Sequence, residues 1–143
     1  MDTNDPPRIV AVDYGTRRVG VAISDPLHLF ARPYGTFSPD DAVKAIEDIH
    51  RDTGIACVLV GWPLTPDGDE GPATERVQQY INRLAKRLRG VPVLKVDERS
   101  TSRRAVEALV DAGVGRKGRR QKERIDAAAA AILLQDYLEH GDD

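Results

Sequence analysis

The order of apolar runs and amphipathic segments is the feature that most constrains the fold of this chain. Residues 8–13 and 17–24 each predict a strand, and the short turn between them makes the pair antiparallel. A third strand is predicted within residues 28–37, where Pro33 favours an edge position because proline has no backbone N–H to donate. The chain therefore begins as a meander of three strands.

Helices and strands alternate in the rest of the chain. The predicted elements, in order, are a helix that begins after Ser38, a strand at 55–60, a helix over 77–88, a strand at 91–96, a helix that ends at Asp111 and a helix over 123–139. Strand–helix–strand crossovers of this kind are right-handed. We therefore predict an α/β fold, a mixed five-stranded sheet built in the order β-β-β-α-β-α-β-α-α with helices on both faces.

Length and composition limit the class of protein. The 143 residues fit one domain, predicted at residues 8–140 after a flexible segment at 1–7. No apolar stretch approaches the roughly 20 residues of a membrane span, and the first ten residues do not resemble a secretory signal. Cys57 is the only cysteine, which excludes an intramolecular disulfide. We expect a cytoplasmic protein with no membrane partner.

Three widely separated acids stand at the ends of predicted elements. Asp13 closes the first apolar strand, Glu98 follows the strand at 91–96, and Asp126 opens the helix that contains the alanine run 127–131. A carboxylate at the end of a buried element is costly unless a positive charge compensates it. If the three converge, they would form a site for a hard divalent cation. The pattern indicates metal-dependent chemistry on a phosphate.

Each acid also has a purely structural interpretation. An acid near a helix N-terminus, such as Asp126, is often explained by the helix dipole. Glu98 stands beside Asp97, and strand alternation lets only one of the two face a site. From the residues alone, that choice stays open.

Basic residues concentrate in one segment of the chain. Residues 99–124 hold nine of the 21 Lys and Arg but only three acids. This excess of charge could steer a polyanion toward the predicted metal site, although the run 116–122 is equally typical of a solvated loop. We expect this basic loop to become ordered on its substrate.

Two further features indicate contacts with nucleic acid. Gly15 and Gly20 permit a tight turn and a close approach of backbone to phosphate, so that Thr16 and Arg17 could contact substrate oxygens; an ordinary hairpin is the alternative. Trp62 could stack on an unpaired base, but packing in the protein is the favoured interpretation.

Four segments of the chain together resemble the YqgF family. They are residues 13–22, the Gly61–Leu64 loop with the later Asp67-Gly68 pair, residues 97–101, and Asp126 ahead of its alanines. The family comprises bacterial proteins of the ribonuclease H-like nuclease superfamily. Its members are described both as Holliday junction resolvase-like proteins and as nucleases that process the precursor of small-subunit ribosomal RNA. The resemblance spans about residues 8–140.

The resemblance implies a ribonuclease H-like fold and a role for individual residues. It implies an endonuclease, a phosphodiesterase of the hydrolase class, in which Asp13, Glu98 and Asp126 are catalytic and bind metal, and it selects Glu98 over Asp97. Two Mg²⁺ or Mn²⁺ ions would act on either side of the scissile phosphate. The predicted substrate-binding residues are Gly15, Thr16, Arg17, Arg99, Ser100, Thr101, Arg103 and Lys122.

The substrate stays open at this point. It is either Holliday junction DNA or the 5′ end of pre-16S ribosomal RNA, and paired cuts in a junction would require a homodimer. Two other classes are also compatible with the sequence. The Asp-x-Gly-Thr start at Asp13 occurs in ATP-binding proteins of the actin and Hsp70 type, and the acids could be structural in a noncatalytic nucleic-acid-binding module.

Overall fold

The computed structural model describes residues 6–64, 67–98 and 119–141, without the side chains of 119–121. Its strands are β1 (Arg8–Tyr14), β2 (Val19–Ser24), β3 (Ala31–Phe37), β4 (Ile55–Trp62) and β5 (Val93–Asp97). Its helices are α1 (Pro39–Thr53), α2 (Pro72–Arg87) and α3 (Arg119–His140). The helix predicted to end at Asp111 and the predicted boundary of segment 1–7 both involve residues outside this description, so they stay predictions.

The five strands form one mixed sheet in the order β3-β2-β1-β4-β5. β1 is antiparallel to β2, and β2 is antiparallel to β3, whereas β1, β4 and β5 are parallel. The predicted fold class is therefore confirmed. The edge position expected from Pro33 is also observed, and Tyr34 beside it is an extra residue in β3 because the pairing with β2 shifts at this point.

Strand alternation divides the core between the two faces of the sheet. Val10 and Val12 of β1 point toward α1 and α2, while Ile9 and Ala11 point toward α3. Each helix covers the apolar side chains of one face, so both faces are buried. This explains why β1, in the centre of the sheet, has an almost continuous apolar sequence.

The helices α1 and α2 form one layer. α1 begins where the sequence indicated, because the Ser38 hydroxyl accepts a hydrogen bond of 3.1 Å from the backbone N–H of Asp41 and Pro39 follows the cap. The Tyr80 hydroxyl of α2 donates a hydrogen bond of 2.8 Å to the Pro39 carbonyl oxygen. The two helices are thus tied to each other as well as to the sheet.

Two element boundaries differ from the prediction. β4 continues through Gly61 and Trp62, which were expected to begin a loop. α3 begins at Arg119 rather than near residue 123, so Asp126 lies about two turns inside the helix and not at its start. The helix-dipole explanation for Asp126 therefore does not apply. No helix in the described part of the chain is both long enough and apolar enough to span a bilayer.

Candidate active site

The candidate site lies where β1 ends, between two glycines on the neighbouring strands. Asp13 pairs with Gly20 of β2 across the antiparallel ladder. On the other side Val12 pairs with Val60 of β4, so the next step of this register brings Gly61 beside Asp13. Directly paired residues point to the same face of a sheet. Asp13 therefore faces the α3 side and is flanked by two positions that have no side chain.

Gly20 allows α3 to approach the sheet closely. A Cβ atom at this position would overlap the backbone carbonyl of Asp126. The atoms that this Cβ would meet belong to the backbone and cannot rotate aside as a side chain could. Even alanine at position 20 would therefore force α3 away from β2. Ala127 and Ala130, which follow in α3, are buried and also small. These small residues let the Asp126 backbone lie against β2, next to the strand that carries Asp13.

Gly61 has the same role for the third acid. A Cβ atom there would overlap the carboxylate of Glu98, which therefore lies over the Gly61 backbone. The face agrees with the alternation of β5, because Gly61 pairs with Val96 and Val96 packs against the α3 cluster. Asp13, Glu98 and Asp126 consequently lie at one end of the same face of the sheet.

Asp126 forms an ion pair across the site. Its Oδ2 atom accepts a hydrogen bond of 2.7 Å from Nε of Arg18, which stands in the turn between β1 and β2. The side chain of Asp126 is 7% exposed and that of Arg18 is 34% exposed. A cleft of about 270 Å³ opens beside this pair and is lined by residues 13–18 and Asp126.

The donor set fits a hard divalent cation. Carboxylate oxygens are the ligands that Mg²⁺ and Mn²⁺ prefer, and Asp13 and Asp126 line one cleft while Glu98 lies over the glycine next to Asp13. Within residues 6–64, 67–98 and 119–141, however, no three His, Cys, Asp or Glu side chains are close enough to hold a metal ion together. A positive charge does lie beside Asp126, because the guanidinium group of Arg18 forms an ion pair with it.

The predicted substrate-binding residues fall into three groups. Gly15, Thr16 and Arg17 line the cleft, and the last two are exposed at its mouth. Lys122 is exposed on α3, about one turn before Asp126, and does not line the cleft. The remaining predicted residues, Arg99, Ser100, Thr101 and Arg103, lie outside the described part of the chain, as does the basic stretch 116–118.

Arg18 is the residue at this site that sequence reasoning missed. A signal for it exists, because residues two apart in an extended strand share a face. Gly20 faces α3, so Arg18, two positions earlier, points the same way, whereas Arg17 lies exposed at the rim.

Trp62 is part of the core. Its side chain is buried in the cluster beneath α1 and α2, and Nζ of Lys95 lies 4.1 Å from the centroid of its ring. The Trp62 ring therefore lies on the face of the sheet opposite to the three acids, where it is covered by other residues. Packing, the favoured interpretation of this residue, is what the structure shows.

Comparison with solved structures identifies the class of fold. The structure of Thermus thermophilus RuvC superposes with a TM-score of 0.54 at 17% identity, covering 94% of this chain and 97% of that one. The same protein in complex with a Holliday junction substrate gives a TM-score of 0.53 at 18% identity, covering 95% of this chain and 97% of that one. Identity this low establishes the fold alone. The chain is an α/β protein with a RuvC-like fold.

Comparison of sequences then gives the family. Residues 7–140 match the family described as "RuvX: Holliday junction resolvase", and the chain belongs to it. The resemblance to the YqgF family is thereby confirmed. A relative from Salinibacter ruber is 49% identical over 131 residues, which are 92% of both chains. One from Prosthecochloris aestuarii is 41% identical over 139 residues, which are 97% of this chain and 98% of that one. Both are named "Putative pre-16S rRNA nuclease".

Proposed function

We propose that this protein is a metal-dependent endonuclease that hydrolyses phosphodiester bonds in structured nucleic acid. The observation that carries the proposal is the placement of Asp13, Glu98 and Asp126 on one face of the sheet, around Gly20 and Gly61. The two glycines hold the backbone of α3 and the carboxylate of Glu98 at positions that any side chain would fill. Membership of a nuclease family supports the same conclusion.

The three carboxylates would hold Mg²⁺ or Mn²⁺. Two ions are expected from the resemblance to the family. Paired ions of this kind activate the attacking water and stabilise the leaving oxygen in phosphodiester hydrolysis. Asp13 has a fixed position because it extends the central strand, and Asp126 is held by a rigid helix. Sites supported in this way keep their ligands within narrow limits of position, as the chemistry requires.

The chain's cationic and polar groups would bind the substrate. Thr16 and Arg17 are exposed at the mouth of the cleft, and Gly15 permits the tight turn that carries them, because a Cβ there would overlap the Arg18 carbonyl oxygen. Lys122 is exposed on α3 and would add a cationic contact. The basic segment 99–124 would add further phosphate contacts, including the four predicted at Arg99, Ser100, Thr101 and Arg103. Binding should therefore weaken steeply with salt.

We propose the 5′ end of pre-16S ribosomal RNA as the first substrate. Relatives that are similar over nearly their whole length carry pre-16S rRNA in their names, and the 5′ end is the part expected from the resemblance. Holliday junction DNA is the second candidate, favoured by the description of the family and by the RuvC-like fold. Either substrate is consistent with a cytoplasmic protein, which is the location we propose. Junction resolution would in addition require a two-fold dimer on the DNA.

The decisive experiment compares cleavage of end-labelled precursor RNA and of four-way DNA junctions, with Mg²⁺ or Mn²⁺ and with EDTA. We expect metal-dependent cutting by the wild-type protein and at least about a 100-fold loss in Asp13→Asn, because the variant removes a metal-binding charge. Asp136→Asn is the matched control, since it makes the same change at an exposed position of α3 and should cut normally.

Other outcomes would select the other classes. Retained binding without cleavage in any metal would favour a noncatalytic nucleic-acid-binding module. ATP binding in the absence of nucleic acid would favour the actin-like class. Equal cleavage by wild type and Asp13→Asn would contradict the proposed site. The mass of the complex between the protein and an uncleaved junction would show whether a homodimer forms. A protein that binds as a monomer and resolves no junction would leave precursor RNA as the substrate.

A further inference from the structure

We propose that Arg18 is a positioning residue that compensates the charge of Asp126 in the metal-free protein and competes with the divalent cation for that carboxylate. The inference rests on the proposed function, because it concerns a metal bound by Asp126. It assigns to Arg18 a role in setting the metal affinity of the site. The role is distinct from that of Arg17, which lines the same cleft.

The burial of Asp126 requires a compensating charge. Its side chain is 7% exposed, and removal of an ionised carboxylate from water is unfavourable unless a partner of opposite charge is present. Nε of Arg18 lies 2.7 Å from Oδ2, within the range of a strong charge-assisted hydrogen bond. The ion pair therefore allows α3 to dock on β2 while Asp126 is charged.

Arg18 cannot vacate the carboxylate by losing its proton, because a guanidinium group stays charged in proteins. Only a competing cation or a movement of the side chain can replace it. Arg18 is 34% exposed and stands in the turn at the cleft, so its guanidinium can swing toward solvent without disturbing the core. A divalent ion at Asp126 would supply the compensating charge in its place.

The Arg18–Asp126 ion pair and a cation bound at Asp126 would use the same carboxylate group. With Arg18 on Oδ2, part of the carboxylate that would bind the cation is already engaged. Binding of a cation there would have to displace this hydrogen bond, which lowers the affinity of the site for metal.

The test measures Mn²⁺ affinity by electron paramagnetic resonance, without nucleic acid. Arg18→Gln should bind Mn²⁺ about tenfold more tightly than wild type, because one charge-assisted hydrogen bond no longer has to be broken. Its melting temperature without metal should fall, and the rise on adding Mn²⁺ should be larger than in wild type. Arg17→Gln, which removes an equal charge from an exposed position of the same cleft, should change the affinity by less than about threefold.

Two further variants keep the proposal falsifiable if Arg18→Gln folds poorly. Arg18→Lys retains the charge without the planar guanidinium and should bind Mn²⁺ with intermediate affinity. In an Asp126→Asn background the Arg18→Gln change should no longer raise the affinity. Affinity that is unchanged or lower in Arg18→Gln, or raised equally in Arg17→Gln, would overturn the proposal.

Cleavage by the wild-type protein in the same Mn²⁺ titration separates this inference from the proposed function. Metal-dependent cleavage together with no gain of affinity in Arg18→Gln would overturn only the role of Arg18. A wild-type protein that neither binds Mn²⁺ nor cleaves would overturn the proposed function, and the inference with it.

Discussion

The two faces of the sheet bury their helices in different ways. Toward α1 and α2 the strands present bulky side chains such as Val12 and Val60, which pack against Ile46 and Leu84. Toward α3, near the end of β1, the strands present Gly20 and other small residues. The alanines of α3 pack against them. The first arrangement fills volume, whereas the second brings backbone close to backbone. Stability and the position of the acids are therefore controlled largely by opposite faces.

The largest effect on stability is expected on the bulky face. Leu84→Ala would leave a cavity under α2, where the side chain is fully buried, and should lower the free energy of unfolding by about 2–5 kcal/mol. Urea denaturation measures this loss. Cleavage per folded molecule should stay close to wild type, because the acids lie on the other face. A large fall in kcat for the folded variant would break the comparison.

A smaller loss of stability with a larger loss of cleavage is expected at Gly20. The added Cβ in Gly20→Ala overlaps the Asp126 carbonyl, so α3 must shift, at a cost of about 1–3 kcal/mol. A displacement of a catalytic group by about 1 Å can lower the rate on the order of 100-fold. The control is Gly71→Ala, where no atom lies within 4 Å of the added Cβ. Equal cleavage in both variants would contradict the role of Gly20.

The smallest change in stability is expected at Gly61. In Gly61→Ala the added Cβ meets the carboxylate of Glu98, which is the end of a flexible side chain and can move aside. We expect a loss below about 1 kcal/mol, since the side chain of Glu98 is only partly buried and its rotation is inexpensive. Cleavage should still fall, because the carboxylate leaves its position. Normal cleavage with normal stability would show that Glu98 does not need its place over Gly61.

Local patterns in the sequence were sufficient for most of the fold. The antiparallel start follows from the short turn after Asp13, the edge strand from Pro33, and the start of α1 from Ser38. Each of these depends on residues close in sequence. The boundaries that were wrong had conflicting local signals. The apolar run of β4 is followed by Gly61, Trp62 and then Pro63, which favour a loop. The first residues of α3 are mostly charged and show no apolar repeat that would indicate a helix.

The candidate site was less accessible to such reasoning. The position of Asp13 at the end of a strand could be predicted, but the ion pair between Arg18 and Asp126 joins residues 108 positions apart. Only the docking of α3 on β2 brings them together. The reason that position 20 must be glycine likewise becomes visible only when the Asp126 backbone is in place. The sequence is enough to select the three acids as candidates, but only the tertiary packing determines which residues surround each of them.

The separation between Arg18 and Asp126 also has a consequence in time. At about 5–20 residues per second, a ribosome needs roughly 5–20 s to add the intervening chain. The β1–β2 hairpin, whose contacts are local, can form throughout that interval, but the carboxylate from α3 does not yet exist. Under the proposed function, a nascent chain is therefore inactive during translation, and cleavage begins only after α3 has been synthesised and has docked.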